Sequence, residues 1–202
     1  MSQLFVISAP SGAGKTSLVR ALLERRASLV VSVSHTTRPP RTHELEGRDY
    51  HFVSIQRFEE LVAAGAFLEH ARVFDNYYGT GAQQVAERLA AGSDVILEID
   101  WQGARQVRAA MPACISIFIL PPSREALQQR LRERRTDSPE VIERRLRDAV
   151  ADMEHYREFD FVVVNDRFEQ AVQELESILE GHGEGLRADR AALAPMLQRL
   201  LR

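Results

Sequence analysis

A chain of 202 residues bounds one domain, or one core with insertions, and is long enough to bury a sizeable hydrophobic core. The formal net charge of -3 argues against a dedicated nucleic-acid binder, and no run approaches the roughly 18 apolar residues of a membrane-spanning helix. The single cysteine, Cys114, excludes an internal disulfide and a cysteine metal cluster, and the six histidines lack the spacing of a metal-ligand set.

The start, "MSQLFVISAP", has no basic stretch and only a short apolar run, so no signal peptide is expected and the expected location is the cytoplasm. "LFVISAP" (4–10) reads as a buried strand ended by Pro10. "GKTSLVRALLERR" (14–26) follows with apolar residues at helical spacing, and "SLVVSVS" (28–34) reads as a second strand. Strand, glycine-rich turn, helix and strand open an α/β fold.

The texture then changes. Residues 35–81 contain the Pro39–Pro40 pair, many charges, a short strand ending near Val53, and a helix capped by Ser54. They finish with a strand, a tight turn and a second strand over 67–81, and so read as an inserted, mostly β subdomain. From residue 82 the α/β rhythm returns. A helix ends at Gly92, and "DVILEID" (94–100) is a strand followed by a short helix. "CISIFIL" (114–120) is a strand stopped by Pro121. An arginine-rich helix (123–135) and a longer one (137–156) follow, the second with Pro139 just inside its start. A last strand (159–166) and a helix (168–181) close the main body. The tail, 188–202, reads as an amphipathic helix interrupted by Pro195. It packs onto the core or, in the alternative, makes a homo-oligomer contact. Five apolar strands alternating with helices imply a mostly parallel sheet with helices on both faces.

Of the 26 lysines and arginines, only Lys15 is a lysine. It sits in Ala9-Pro10-Ser11-Gly12-Ala13-Gly14-Lys15-Thr16, one methyl group away from the phosphate-loop pattern GxxxxGK[ST]. Gly12 and Gly14 allow backbone conformations that turn amides toward phosphate oxygens, and the helix N-terminus adds partial positive charge. Lys15 would reach the β and γ phosphates, and Thr16 would place its hydroxyl on Mg²⁺. A compact ammonium fits between two phosphates where a wide guanidinium does not, which accounts for one lysine in a chain that otherwise writes arginine.

A phosphate loop does not name the acceptor. "SVSHTTRPPRTHELEGRDYHF" brings Ser34, Arg38, Arg41 and Tyr50 into one stretch, and "FLEHARVFDNYYGT" adds Glu69, Tyr78 and Thr80. Two arginines and two tyrosines can surround a phosphate. A carboxylate beside hydroxyls can read guanine, accepting from N1–H and the 2-amino group while a hydroxyl donates to O6; adenine presents the opposite polarity. Core packing is the alternative reading of Tyr50 and Tyr78, and Trp101 reads as packing.

Together "SAPSGAGK", "SHTTRPPR", "FLEHARVFDNYYGT", "IDWQG" and "VVND" make the chain closely resemble the bacterial guanylate kinases, nucleoside-monophosphate kinases with a phosphate loop. The resemblance runs through nearly the whole sequence. It implies an α/β fold: a P-loop core (1–33, 82–122 and 150–202) with a mostly parallel five-stranded sheet flanked by helices, an inserted mixed α/β GMP-binding subdomain (34–81) and a helical lid (123–149). It implies transfer of the γ-phosphoryl group of ATP to GMP, and to dGMP, with Mg²⁺ as cofactor. ATP and GMP are then the partners, with no nucleic acid and no membrane.

By matching position, the resemblance implies that Ser34, Glu69 and Thr80 bind guanine, with Glu98 near its amino group. Arg38, Arg41, Tyr50 and Tyr78 would hold the GMP phosphate. Residues Ala9 to Ser17 (Ala9, Pro10, Ser11, Gly12, Ala13, Gly14, Lys15, Thr16, Ser17) would hold ATP, with Asn165 at the adenine ring. Asp100 would lie near Mg²⁺, reaching it through water while Thr16 binds directly. Arg134 and Arg145 would be lid arginines that join Lys15, Arg38 and Asp100 in catalysis. Arg130 is a further lid contact, or solvated surface charge like Arg132 and Arg135. The chain departs from the family pattern at three places: Ala9 replaces the usual first loop glycine, Glu98 stands where Asp is common, and "RERR" (132–135) lacks the glycines usual around the central lid arginine. Two rivals keep the fold but change the function: a kinase acting on another small acceptor, and a non-enzymatic binding module. The intact Lys15, Thr16 and arginine set favours an enzyme over the module.

Overall fold

The structure is a computed structural model and describes residues 2–73, 75–133 and 139–201. Arg134 and Arg135, read above as lid and surface arginines, lie outside the described residues. The larger sheet has five strands in the order β2-β7-β1-β8-β9: β1 (Leu4–Ser8), β2 (Leu29–Val31), β7 (Asp94–Glu98), β8 (Ile115–Leu120) and β9 (Phe161–Val164). Every residue of β1 is buried, as are the last five of β8, so these apolar runs form interior strands covered on both faces. The smaller sheet is mixed, in the order β4-β3-β6-β5: β3 (His35–Thr36), β4 (His51–Phe52), β5 (Phe67–Val73) and β6 (Asn76–Gly81). Its β3 and β4 pair parallel, while β3–β6 and β5–β6 pair antiparallel.

The chain divides into two compact units. The first comprises Met1–Val6 and Ala27–Cys114. It holds the β2–β7 pair, the smaller sheet and three helices: α2 (Ile55–Ala63), α3 (Ala82–Ala90) and α4 (Trp101–Ala110). Ser54 caps α2, its hydroxyl accepting from the Arg57 amide. After α3 the chain turns at Gly92, whose φ of 85° lies in the left-handed region, and its amide closes onto the Leu89 carbonyl. Strand β5 is an edge of the smaller sheet, and α4 covers it. Gln106 acts there as a surrogate strand, its side chain accepting from the His70 amide at 3.2 Å and donating to the His70 carbonyl at 2.8 Å.

The second unit comprises Ile7–Arg26 and Ile115–Arg202. It holds the glycine-rich loop, α1 (Lys15–Arg25), the parallel β8–β9 pair, α5 (Arg124–Glu133), α6 (Pro139–Glu154), α7 (Phe168–Leu179) and α8 (Ala194–Leu200). Leu18, Val19 and Leu22 form the buried stripe of α1, and Ala171, Val172 and Leu175 that of α7, the helix it contacts. Phe118 and Phe159 meet with ring centroids 5.0 Å apart. Pro195 does not interrupt the tail helix; it lies in the first turn of α8, where its missing N–H has no intrahelical partner to lose. Leu193, Leu197 and Leu200 are buried, and the Leu200 carbonyl accepts from Arg124 Nε at 2.6 Å. The tail is thus built into the second unit. Among the described residues no helix is long and apolar enough to cross a membrane.

Candidate active site

In the second unit, β1 runs out at Ser8 and the chain turns through Ala9–Gly14 before α1 begins. Gly12 (φ 91°) and Gly14 (φ 94°) both adopt left-handed backbone. At Gly12 a Cβ would press on Leu127 and Leu131 of α5, and at Gly14 it would strike the Asn165 side-chain amide. Gly14 is the N-cap of α1 and has no side chain with which to cap the first-turn amides. That backbone arrangement suits an anion. Thr16 and Ser17 are exposed, Ala9, Ser11 and Lys15 half-buried, and Pro10 and Ala13 buried.

Two polar side chains hold the loop from behind. Asn165, 5% exposed at the end of β9, donates its amide to the Ala13 carbonyl at 2.7 Å. Arg130 on α5 donates to the Asn165 carbonyl at 2.8 Å and reaches the Ala13 carbonyl at 3.5 Å. Arg130 is therefore tied to the loop rather than solvated as surface charge. Arg145 is half-buried on α6.

In the first unit, the two-residue period of the smaller sheet sorts side chains between its faces. Thr36 pairs with Tyr78 and Phe52, Glu69 with Thr80, and Ala71 with Tyr78. These residues share one face. The opposite face carries His35, Tyr77 and His70, and packs on Phe58 of α2, which stacks on Tyr77 with centroids 5.5 Å apart. The alternation thus puts Glu69, Tyr78 and Thr80, of the predicted base-reading and phosphate-binding residues, on the face away from Phe58. There the Thr80 hydroxyl donates to the Glu69 carboxylate at 2.5 Å, a charge-assisted bond between groups 0% and 3% exposed. Ser34 Oγ lies 3.4 Å from Thr80 Oγ1. A Cβ on Gly103 of α4 would collide with the second Glu69 oxygen, so the carboxylate rests directly on the helix backbone.

The same face holds an aromatic and cationic group. Tyr50 and Tyr78 meet edge to face at 6.0 Å, and the Arg38 guanidinium lies 5.3 Å from the Tyr50 ring centroid. Burial first, then Glu98 and Tyr78, push the Tyr50 hydroxyl up to about 12, so it is a hydrogen-bond donor at neutral pH. Arg38 forms a fork with Glu44 at 2.8 and 2.9 Å, which holds the guanidinium above its ordinary value despite partial burial. Arg41 is exposed, and its backbone amide donates to Glu44 at 2.8 Å.

Asp100 caps α4, one carboxylate oxygen accepting from the Gly103 amide at 2.7 Å; the other takes no hydrogen bond among the described residues. Glu98 is half-buried at the end of β7. Sequence reasoning missed Glu44 and Gly103. The Arg41–Glu44 spacing, an acid three residues after a loop arginine, is a signal for Glu44. Gly103 ends the stretch "IDWQG", but nothing in that stretch shows that Glu69, from another element, rests on it.

The family model described as "Guanylate kinase" matches residues 1–182. The guanylate kinase of Methylococcus capsulatus is 60% identical over 177 residues, covering 88% of this chain and 87% of that protein. The guanylate kinase of Alkalilimnicola ehrlichii is 55% identical over 198 residues, 98% of each chain. The crystal structure of guanylate kinase from Anaplasma phagocytophilum superposes with a TM-score of 0.76 at 32% identity, covering 100% of this chain and 96% of that one.

Proposed function

The chain belongs to the guanylate kinase family, and on that premise we propose that it transfers the γ-phosphoryl group of ATP to GMP, giving ADP and GDP. The observation that carries the acceptor assignment is the buried Glu69–Thr80 bond with Ser34 beside it. Carboxylate oxygens there accept from guanine N1–H and the 2-amino group, and a hydroxyl donates to O6. Glu98 is assigned to the neighbourhood of the guanine amino group. Arg38, Arg41, Tyr50 and Tyr78 take the GMP phosphate, the buried Tyr50 hydroxyl as a neutral donor. These contacts lie on base and phosphate, so dGMP serves as well.

ATP is assigned to the loop and the start of α1. Backbone amides of Gly12 and of Gly14 to Ser17 bind phosphate oxygens, the Ala13 amide being held by the Pro10 carbonyl, and Lys15 spans the β and γ groups. Asn165 and Arg130 fix the loop through the Ala13 carbonyl, and Asn165 also borders the adenine. Arg134 and Arg145 complete the charge on the transferring group from the proposed lid, 123–149. The proposed core is 1–33, 82–122 and 150–202, and the acceptor subdomain is 34–81.

The acceptor is itself a phosphate oxygen, already ionised at neutral pH, so no general base is required. Positioning and charge stabilisation carry the rate. Thr16 supplies an exposed hydroxyl, and Asp100 an oxygen unbonded within the described residues. Both fit Mg²⁺, Thr16 directly and Asp100 through water, and the ion when bound with ATP supplies charge neutralisation at the phosphates. We place the activity in the cytoplasm, on small molecules rather than nucleic acid. The test is ATP-dependent ADP release with GMP, AMP, CMP and UMP in parallel, using Lys15→Ala as control. GMP turnover that is selective and lost in the control is expected; equal turnover of AMP, or a fully active control, contradicts the reading.

A further inference from the structure

Glu44 is a carboxylate with several bonds beside the proposed phosphate ligands. Arg38 has five N–H donors. One from each terminal nitrogen goes to Glu44, at 2.9 and 2.8 Å, and a second from Nη1 goes to the Pro39 carbonyl at 2.8 Å. The Nε–H and the other Nη2–H lie together on one edge of the guanidinium, and they are the donors left for Tyr78 and for an incoming phosphate. The plane itself is held near Tyr50 and Phe52, at 5.3 and 5.9 Å, and Tyr78 is its other hydrogen-bonding neighbour. Glu44 also closes a turn: its amide donates to the Arg41 carbonyl at 3.0 Å while its carboxylate accepts from the Arg41 amide at 2.8 Å. One carboxylate thus fixes both the side chain of Arg38 and the backbone of Arg41.

Two roles are open to an anion in this position. It could stand in for the substrate phosphate and leave when GMP arrives, or it could stay and aim the arginine. Burial alone pushes the Glu44 carboxyl upward, but the Arg38 bond and the Arg41 amide outweigh it and hold it below its ordinary value. Expulsion would break three charge-assisted bonds, with both side chains only 14% and 16% exposed. The Nε edge, shared with Tyr78, can meet a phosphate while Glu44 stays in place. We propose that Glu44 is a positioning residue that stays on Arg38 during binding and presents its Nε edge to the acceptor phosphate. This rests on the reading of Arg38 as a GMP-phosphate ligand.

The experiment is steady-state kinetics of the full chain and its Glu44→Gln, Glu44→Ala and Arg38→Met variants, with guanosine as a phosphate-free competitive inhibitor. The near-isosteric Glu44→Gln guards against a folding defect, monitored by thermal melting. The KM for GMP should rise about tenfold in Glu44→Gln and further in Glu44→Ala, with the KM for ATP unchanged and kcat altered less than about threefold. The guanosine inhibition constant should not move. A lower KM for GMP would mean that Glu44 competes with the phosphate, and overturns the proposal. An unchanged KM, or an equal rise in the guanosine constant, overturns it as well. Arg38→Met separates the premise: an unchanged KM for GMP in that variant refutes the phosphate assignment itself, whatever Glu44 does.

Discussion

Glu69 can be buried against α4 because residue 103 has no side chain. A methyl group there would meet the carboxylate that Thr80 holds from the other side, and neither partner can retreat without breaking a short bond. Gly103→Ala should therefore destabilise the protein by about 1–3 kcal/mol, as overpacking does, and raise the KM for GMP but not for ATP. Thermal melting and two-substrate kinetics check this; an equal change in both KM values would mean a general loosening. Lys15 poses the opposite question, since charge is kept but shape changes. Lys15→Arg should lower kcat/KM at least about a hundredfold, because a planar guanidinium does not replace a point charge between phosphates. Near-normal ADP formation would remove the argument from the lone lysine. Lys15 was legible because composition isolates it. Gly103 was not, because it matters through Glu69, which only folding brings close; Glu44 lies three and six residues from its partners Arg41 and Arg38, a local spacing that was passed over.

At the scale of elements, the long apolar strands, the 67–81 hairpin and the short strand before Val53 were readable, whereas β3 and its pairing with β4 were not. Two residues carry no period; their pairing depends on neighbours in space. That pairing sets His35 beside His51, ring centroids 4.8 Å apart, with His35 Nδ1 buried and unbonded among the described residues. Burial first, then His51, hold His35 below the ordinary histidine value; Glu46 opposes and Arg57 adds. The unfolded chain binds a proton at His35 near pH ~6.5 and the folded chain does not. Stability is therefore intact above that pH and declines as pH falls through the lower folded value. The melting temperature of His35→Gln should drop less than that of the parent between about pH 7.5 and 5.5. An identical drop would place the acid sensitivity elsewhere.

At the scale of the whole molecule, the family model ends at residue 182, yet the chain continues into a tail with its own buried leucines. Pro195 looked like a helix breaker in sequence, because helical periodicity does not show where a helix begins; in the first turn of α8 it is tolerated. Leu200→Ala should cost about 2–4 kcal/mol and leave kcat and both KM values near those of the parent. Altered kinetics at full stability would give the tail a functional role instead. The most direct test of the account concerns the face that two-residue alternation builds around Glu69. Measure kcat/KM for GMP and for AMP with the parent and with Glu69→Gln. The amide turns one acceptor into a donor facing guanine, so kcat/KM for GMP should fall at least about a hundredfold while that for AMP does not fall, narrowing the ratio. An unchanged GMP-to-AMP ratio in a folded Glu69→Gln protein would contradict the assignment of this face to guanine.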